Sequence, residues 1–267
     1  MAKPVLDEEV DGAEVDSSAP GALMADAYDR IKNAILRGTF SPGARLSQVK
    51  IAERLGLSRT PVREALRLIE RDGLITSQRG RQVVISSTSM ADLDELYALR
   101  IKLDSATVRL CVPNLTDDDL VEMRDCLDKM DNNSSAEDFE KFDAAHRNFH
   151  MIAIRAAGPR HITYSAQLNE HAERYRRMYI VQASSYQQSK SEHEAIFEAC
   201  EARDGELVAA LLAEHYARIA LTIIAQIEPQ FEPRLVRSAV RIALEGQSGP
   251  SRKAKVDASI ASQMRAI

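Results

Sequence analysis

From Met90 to Ile227 the chain keeps a helical rhythm without strand-like alternation, and its interruptions are all helix breakers: Pro113-Asn114, Asn132-Asn133-Ser134, Gly158-Pro159 and Asp204-Gly205. This punctuation predicts helices over about 90–111, 116–130, 136–157, 160–182, 186–202 and 205–227. Thr116 stands three residues before Asp119, a capping-box-like start with Asp in place of Glu. Helices joined by such short breaks bury their apolar stripes against one another, so the segment is expected to form an all-α antiparallel bundle. Arg234 to Leu244 reads as one more amphipathic helix after Pro229 and Pro233.

A chain of 267 residues is too long for one small domain, and the residues ahead of the bundle have a different character. Leu23, Ala27, Ile31, Ala34 and Ile35 fall on one helical stripe, which ends near Gly38 and the Ser41-Pro42-Gly43 turn. Val49, Ala52 and Leu55 mark a short second helix that Gly56 ends. Ser58 or Thr60 can cap a third, where Pro61 is tolerated because first-turn amides have no intrahelical partner. Val62, Ala65, Leu66 and Ile69 form its inner face, and Asp72-Gly73 stops it.

The period then changes. Leu74-Ile75-Thr76 and Gln82-Val83-Val84-Ile85 read as two strands around a Gln78-Arg79-Gly80-Arg81 turn. Three helices and a hairpin are the plan of a winged helix-turn-helix. The expected organisation is therefore an acidic, disordered tail over 1–20, a winged helix over 21–86, the bundle over 90–228 and a partly disordered extension over 229–267. Ser86 to Ser89 supplies the linker.

The net charge of −5 looks wrong for a nucleic-acid binder until it is counted by region. Residues 28–85 hold 12 Lys and Arg against 5 acids, while 1–27 hold 1 against 7. On the third helix Arg59, Arg63, Arg67 and Arg71 recur every four residues opposite the apolar stripe, so they share one face. A guanidinium fork can bond a guanine edge or grip phosphate oxygens, and Arg59 and Arg63 lie near the end that a recognition helix inserts into the major groove. The alternative is a solvated face paired with Glu64 and Glu70. The basic hairpin tip at Arg79 and Arg81 tips the reading toward DNA.

In the bundle, four of the six histidines stand out. His146 and His150 lie one helical turn apart, so both imidazoles can reach one ion, and His193 and His215 come from two other helices. Neutral imidazole suits zinc, with nickel as the alternative. Cys111, Cys126 and Cys200 are scattered without CxxC spacing, which indicates neither a disulfide framework nor a thiolate site. Catalysis, structure and sensing all remain open for such an ion, although no HExxH motif occurs. Arg100 shares a stripe with Leu96, Leu103 and Thr107 and so points inward, either to an ion pair with Asp104 or to an anionic ligand. Asp143 reads as an exposed helix charge or an outer partner of the ion. His161, His171 and the run Arg174, Arg176, Arg177 are ambiguous: the main reading is that they are solvated, the alternative that one or two of the arginines line the pocket.

The stretch Leu46-Ser47-Gln48 through Ala52-Glu53-Arg54-Leu55-Gly56-Leu57-Ser58-Arg59-Thr60-Pro61-Val62-Arg63-Glu64-Ala65-Leu66, continued by Leu68-Ile69-Glu70-Arg71-Asp72-Gly73-Leu74-Ile75, resembles the GntR family of bacterial regulators. The resemblance implies that Arg45, Ser58, Arg59, Thr60, Arg63 and Gly80 face DNA; charge and position add Lys50 and Arg81. Phe149-His150, Ser191-Glu192-His193 and Ala213-Glu214-His215 resemble the histidine positions of the FCD domain found in FadR-type members. That domain usually has an acidic or amide residue four before its first histidine. Here His146 takes that place, leaving a set of four nitrogens.

The resemblance further implies a small carboxylate effector at or beside the metal, its charge complemented by Arg100. The expectation is a cytoplasmic homodimeric transcription regulator on a palindromic operator. It is not an enzyme, and no apolar run approaches the ~20 residues of a membrane helix. Its rivals are a helical-bundle metalloenzyme and a regulator whose metal is purely structural.

Overall fold

The structure is a computed structural model, and it describes residues 20–78, 82–133, 139–179 and 183–245. Two compact units divide the chain: Met1–Asn33 with Ala44–Ile85, and Ala34–Gly43 with Ser86–Ile267. The expected tails, the hairpin tip at Arg79, Gly80 and Arg81, and the first residues of the helix expected from Ala136 lie outside the described residues.

The first unit holds most of α1 (Pro20–Leu36), then β1 (Arg45–Ser47), α2 (Gln48–Leu55), α3 (Arg59–Arg71), β2 (Ile75–Gln78) and β3 (Gln82–Ile85). Gly56 ends α2 at φ 67°, a left-handed conformation that glycine adopts at no steric cost, and the Leu57 amide then returns to the Ala52 carbonyl at 3.0 Å. Ser58, not Thr60, occupies the N-cap of α3. Val62, Ala65, Leu66 and Ile69 are buried, as their spacing predicts.

β1 is a strand that the sequence pattern does not predict. It pairs antiparallel with β3, Arg45 opposite Val84, in a sheet ordered β1-β3-β2. Its three residues are too few to display an alternation, which is why periodicity passes over it.

The second unit contains α4 (Met90–Cys111), a 3-10 turn at Val112–Asn114, α5 (Asp117–Asn132), α6 (Phe139–Ala153), α7 (Pro159–Tyr179), α8 (Ala183–Glu201), α9 (Gly205–Ile227) and α10 (Arg234–Glu245). Thr116 caps α5: its side chain accepts from the Asp119 amide at 3.1 Å, while the Asp119 carboxylate accepts from the Thr116 amide at 2.9 Å.

α4 and α9 form the central pair, and Gly205 lets them close. A Cβ there would lie 2.9 Å from the Arg109 carbonyl oxygen. α9 also corrects one expectation, because it is long and apolar enough to cross a membrane, with a mean hydropathy of 1.6. Of that window 67% is buried within the protein, which makes it the core helix of the bundle.

Candidate functional site

α6 carries His146 and His150 one turn apart, α8 carries His193 and α9 carries His215, and the bundle brings all four together. Each offers one ring nitrogen, and those nitrogens all lie within 4.8 Å of one another. None of the four side chains is more than 6% exposed.

The outer partners fix which nitrogens face inward. His193 Nδ1 lies 2.7 Å from the Ser189 carbonyl oxygen, which can only accept, so Nδ1 carries the hydrogen and Nε2 presents a lone pair. By the same reasoning His215 Nδ1 donates to Glu192 Oε2 at 2.7 Å, and its Nε2 is a buried atom without a protein partner. His150 Nε2 lies 3.2 Å from His146 Nε2 and 3.3 Å from His193 Nε2.

The Nε2 lone pairs of His193 and His215 both face the centre, where a positive charge would be favoured. Nitrogens that share one ion at about 2.0–2.1 Å lie roughly 3 Å apart, and the two short contacts agree with that. The donor set therefore fits a late first-row divalent ion, with Glu192 and the Ser189 carbonyl orienting two of the ligands.

Electrostatics keep the imidazoles in the form that can bind an ion. Burial, and then the neighbouring His150, holds His146 well below the usual imidazole range. Burial followed by His193 and His215 does the same to His150, and burial with His215 to His193. His215 is also lowered by burial, with Glu192 opposing. Burial would raise the Glu192 carboxyl, but its bonds to His215 and Arg218 hold it down to about 2.

Arg100 on α4 points inward, as its stripe predicts, and is 1% exposed. Its guanidinium carbon lies 4.0 Å from the Tyr216 ring centre. Nη2 donates to Asn169 Oδ1 at 3.3 Å, whereas Nε and Nη1 have no hydrogen-bond partner. Asp104 is engaged elsewhere, accepting from Ser165 Oγ at 2.5 Å and Tyr216 Oη at 3.0 Å, and it acts on Arg100 only through space.

Two expectations need correction. Asp143 is buried and not an exposed helix charge, and it accepts from Arg176 Nη2 at 2.6 Å. Arg174 and Arg176 are buried rather than solvated, and Arg177, half-buried, lies 3.5 Å from Glu173. Ala172 to Arg176 are buried one after another, so α7 is enclosed on several faces. Five successive helical residues sweep most of a turn and a half, so a charged run of that length inside a bundle could have signalled interior cations. His161 is exposed, as expected.

In the first unit, Arg59, Arg63, Arg67 and Arg71 are exposed along one face of α3, with Ser58 and Thr60 exposed at its start. The Ser58 side chain makes no capping bond. Glu64 pairs with Arg67 at 3.0 Å and approaches Arg63 at 3.6 Å; Glu70 instead accepts from the Ser77 amide and hydroxyl. Arg45 on β1 and Lys50 on α2 are also exposed.

A winged helix with an arginine face, in one chain with a helical unit enclosing a polar centre, defines a DNA-binding transcription regulator. Residues 23–85 match the bacterial regulatory protein family gntR, and residues 95–218 match the FCD domain. The chain belongs to the GntR family and carries a C-terminal FCD domain.

Over 155 residues it is 30% identical to the HTH-type transcriptional regulator YdhC of Bacillus subtilis, covering 57% of this chain and 68% of that one. It is 31% identical to an HTH-type regulator of Agrobacterium vitis, covering 53% and 85%. Among solved structures it resembles Escherichia coli McbR/YncC with a TM-score of 0.67 at 26% identity, covering 76% and 98%. These relatives are regulators, not enzymes, and the metalloenzyme alternative falls with them.

Proposed function

We propose that this regulator binds its operator under the control of a small carboxylate metabolite held beside a divalent metal, zinc or else nickel, in the helical unit. His146, His150, His193 and His215 are the ligands of the ion, which when bound supplies a Lewis-acidic cation for a carboxylate oxygen. Arg100 complements the metabolite's charge. The observation that carries the reading is the gathering of four buried ring nitrogens beside a buried guanidinium whose Nε and Nη1 have no acceptor. A buried cation missing part of its hydrogen bonding is costly unless a ligand completes it, and a purely structural metal leaves Arg100 Nε and Nη1 unmet.

At the other end, Arg59 and Arg63 read base edges and phosphates from α3. Ser58, Thr60, Arg45 and Lys50 contact phosphates, and Gly80 and Arg81, outside the described residues, complete the DNA-facing set. A two-fold homodimer pairs two such helices with a roughly palindromic site. Effector control requires unequal affinity for two dimer arrangements, since a ligand that binds both equally shifts nothing.

The test is operator binding by the intact protein, followed by fluorescence anisotropy with and without candidate carboxylates. Arg59→Ala with Arg63→Ala should weaken specific binding by about 1–3 kcal/mol for each base edge that is no longer read. Arg100→Met should leave operator binding intact and abolish the carboxylate response. Sequence-independent binding unaffected by the arginine changes, or a full response in Arg100→Met, would overturn the proposal.

A further inference from the structure

The four imidazoles are buried, so an ion bound among them needs a way in. A narrow cleft between α5, α6 and α8 leads to them. Met130 and Asp131 line it from α5, Phe142 from α6, and Lys190 and His193 from α8. It holds about 10 Å³ of open space, roughly the room of one water. An ion whose ligands sit at about 2.0–2.1 Å is no wider than that water once its own hydration is shed.

The buried residues mark the inner end of the cleft. His193 is part of its wall, and Phe142 stacks on His146 with ring centres 5.9 Å apart. The rings of His146 and His193 are centred 5.0 Å from each other, so an ion that passes Phe142 meets these two first. They are held differently. The Ser189 carbonyl fixes His193 through Nδ1, whereas His146 Nδ1 is buried without a hydrogen-bond partner. His146 can therefore turn without giving up an outer hydrogen bond, which lets the inner wall open on its side.

The exposed residues mark the mouth, and charge crosses it. Lys190 of α8 pairs with Asp131 of α5, and Glu194, also on the cleft wall, is taken by Arg124 of α5 at 2.9 Å. An ammonium at so narrow an opening opposes a divalent cation, and its pair with Asp131 ties together two of the helices that border the cleft. We infer that this cleft is the route by which the ion reaches and leaves the histidine centre, with the Lys190–Asp131 pair as its latch. This rests on the reading of the quartet as a divalent metal site, and it adds the residues that set the rate of exchange.

Zinc exchange on the full-length protein tests the route. Uptake by the stripped protein and release from the loaded protein into excess chelator are followed with a chromogenic zinc indicator, and the equilibrium Kd is measured by competition. Lys190 is 43% exposed, so Lys190→Met should fold as the parent does. It should speed uptake and release together by about two- to fivefold with Kd unchanged, the range expected for loss of one exposed ion pair. Lys190→Glu, which also attracts the cation, should speed uptake further. Lys129→Met removes the same charge from a residue of α5 that does not line the cleft, and should exchange at the parent rate.

Parent rates in both Lys190 variants overturn the inference and spare the reading of the centre, as does equal acceleration in Lys129→Met. Faster release without faster uptake means that Lys190 acts on the bound ion and not on its passage, and overturns the inference too. If the parent protein binds no zinc, the reading of the quartet fails and takes the inference with it.

Discussion

Glu192→Gln offers a measurement of the histidine centre that leaves its ligands in place. Glu192 Oε2 accepts from His215 Nδ1 at 2.7 Å, and the same carboxylate holds Arg218 through Nε at 2.5 Å and Nη2 at 2.7 Å. The amide oxygen of Gln can still accept one hydrogen bond, so the substitution removes the charge that orients His215 and raises its basicity. Losing such an outer partner typically weakens metal affinity by about 10–100-fold, or about 1.4–2.7 kcal/mol.

Because a ligand of the folded state stabilises by RT ln(1 + [L]/Kd), that loss appears in full as a smaller metal-induced stabilisation at fixed free metal. For a unit of this size it corresponds to about 3–11 °C less metal-induced rise in Tm. The released Arg218 also destabilises the metal-free protein, so the quantity to compare is the difference between loaded and stripped melts in each variant. Equal metal-induced shifts in Glu192→Gln and the parent, with equal bound metal by elemental analysis, would refute the assignment of His215 as an oriented ligand.

Gly205→Ala drives a Cβ to 2.9 Å from the Arg109 carbonyl oxygen and 3.0 Å from its Cα, backbone atoms that cannot swing aside. Prising α4 from α9 should cost about 1–3 kcal/mol, and an unchanged Tm by calorimetry would contradict it. At Asp119, burial favours the neutral acid, but the Thr116 amide and hydroxyl and the Arg155 guanidinium outweigh it and lower the pKa. A lowered folded value contributes stability above the unfolded pKa near 4, lost as pH falls through the folded value. Asp119→Asn should therefore be less stable than the parent by about 0.5–2 kcal/mol at neutral pH, and the gap should close in acid. Denaturant titrations along a pH series check this, and a gap constant down to pH 3 would count against it.

Most helix boundaries in the bundle were legible because Pro, Gly and Asn mark them, but α6 ends at Ala153 and not at Ala157, since the chain from Ile154 to Ala157 tightens into turns before Gly158-Pro159. α4 and α9 begin and end where the sequence breaks place them, at Met90–Cys111 and Gly205–Ile227. The histidine quartet was legible too, since i, i+4 spacing fixes two members on one face and unusual residue type singles out the others. β1 escaped because three residues carry no period, and its pairing with β3 is a non-local contact that no local pattern encodes. Asp143, Arg174 and Arg176 escaped for another reason: a charged residue is assigned to solvent by default, and only a partner on another helix overturns that default.

The run Glu173-Arg174-Tyr175-Arg176 shows what such partners accomplish together. Arg176 reaches Asp143 at the histidine centre, while Arg174 donates to the Ser86 carbonyl at 2.5 Å and Tyr175 bonds Ser89 and Asp92. Neighbouring residues of one helix thus line the polar centre and fasten the segment Ser86–Ser89 that leads into α4. Each of these bonds is buried or half-buried, so each charge must keep its partner or be left unsatisfied in a low-dielectric interior. That constraint makes the register of α7 a two-sided compromise, and it explains why residues that look like a solvated charge run are held inside.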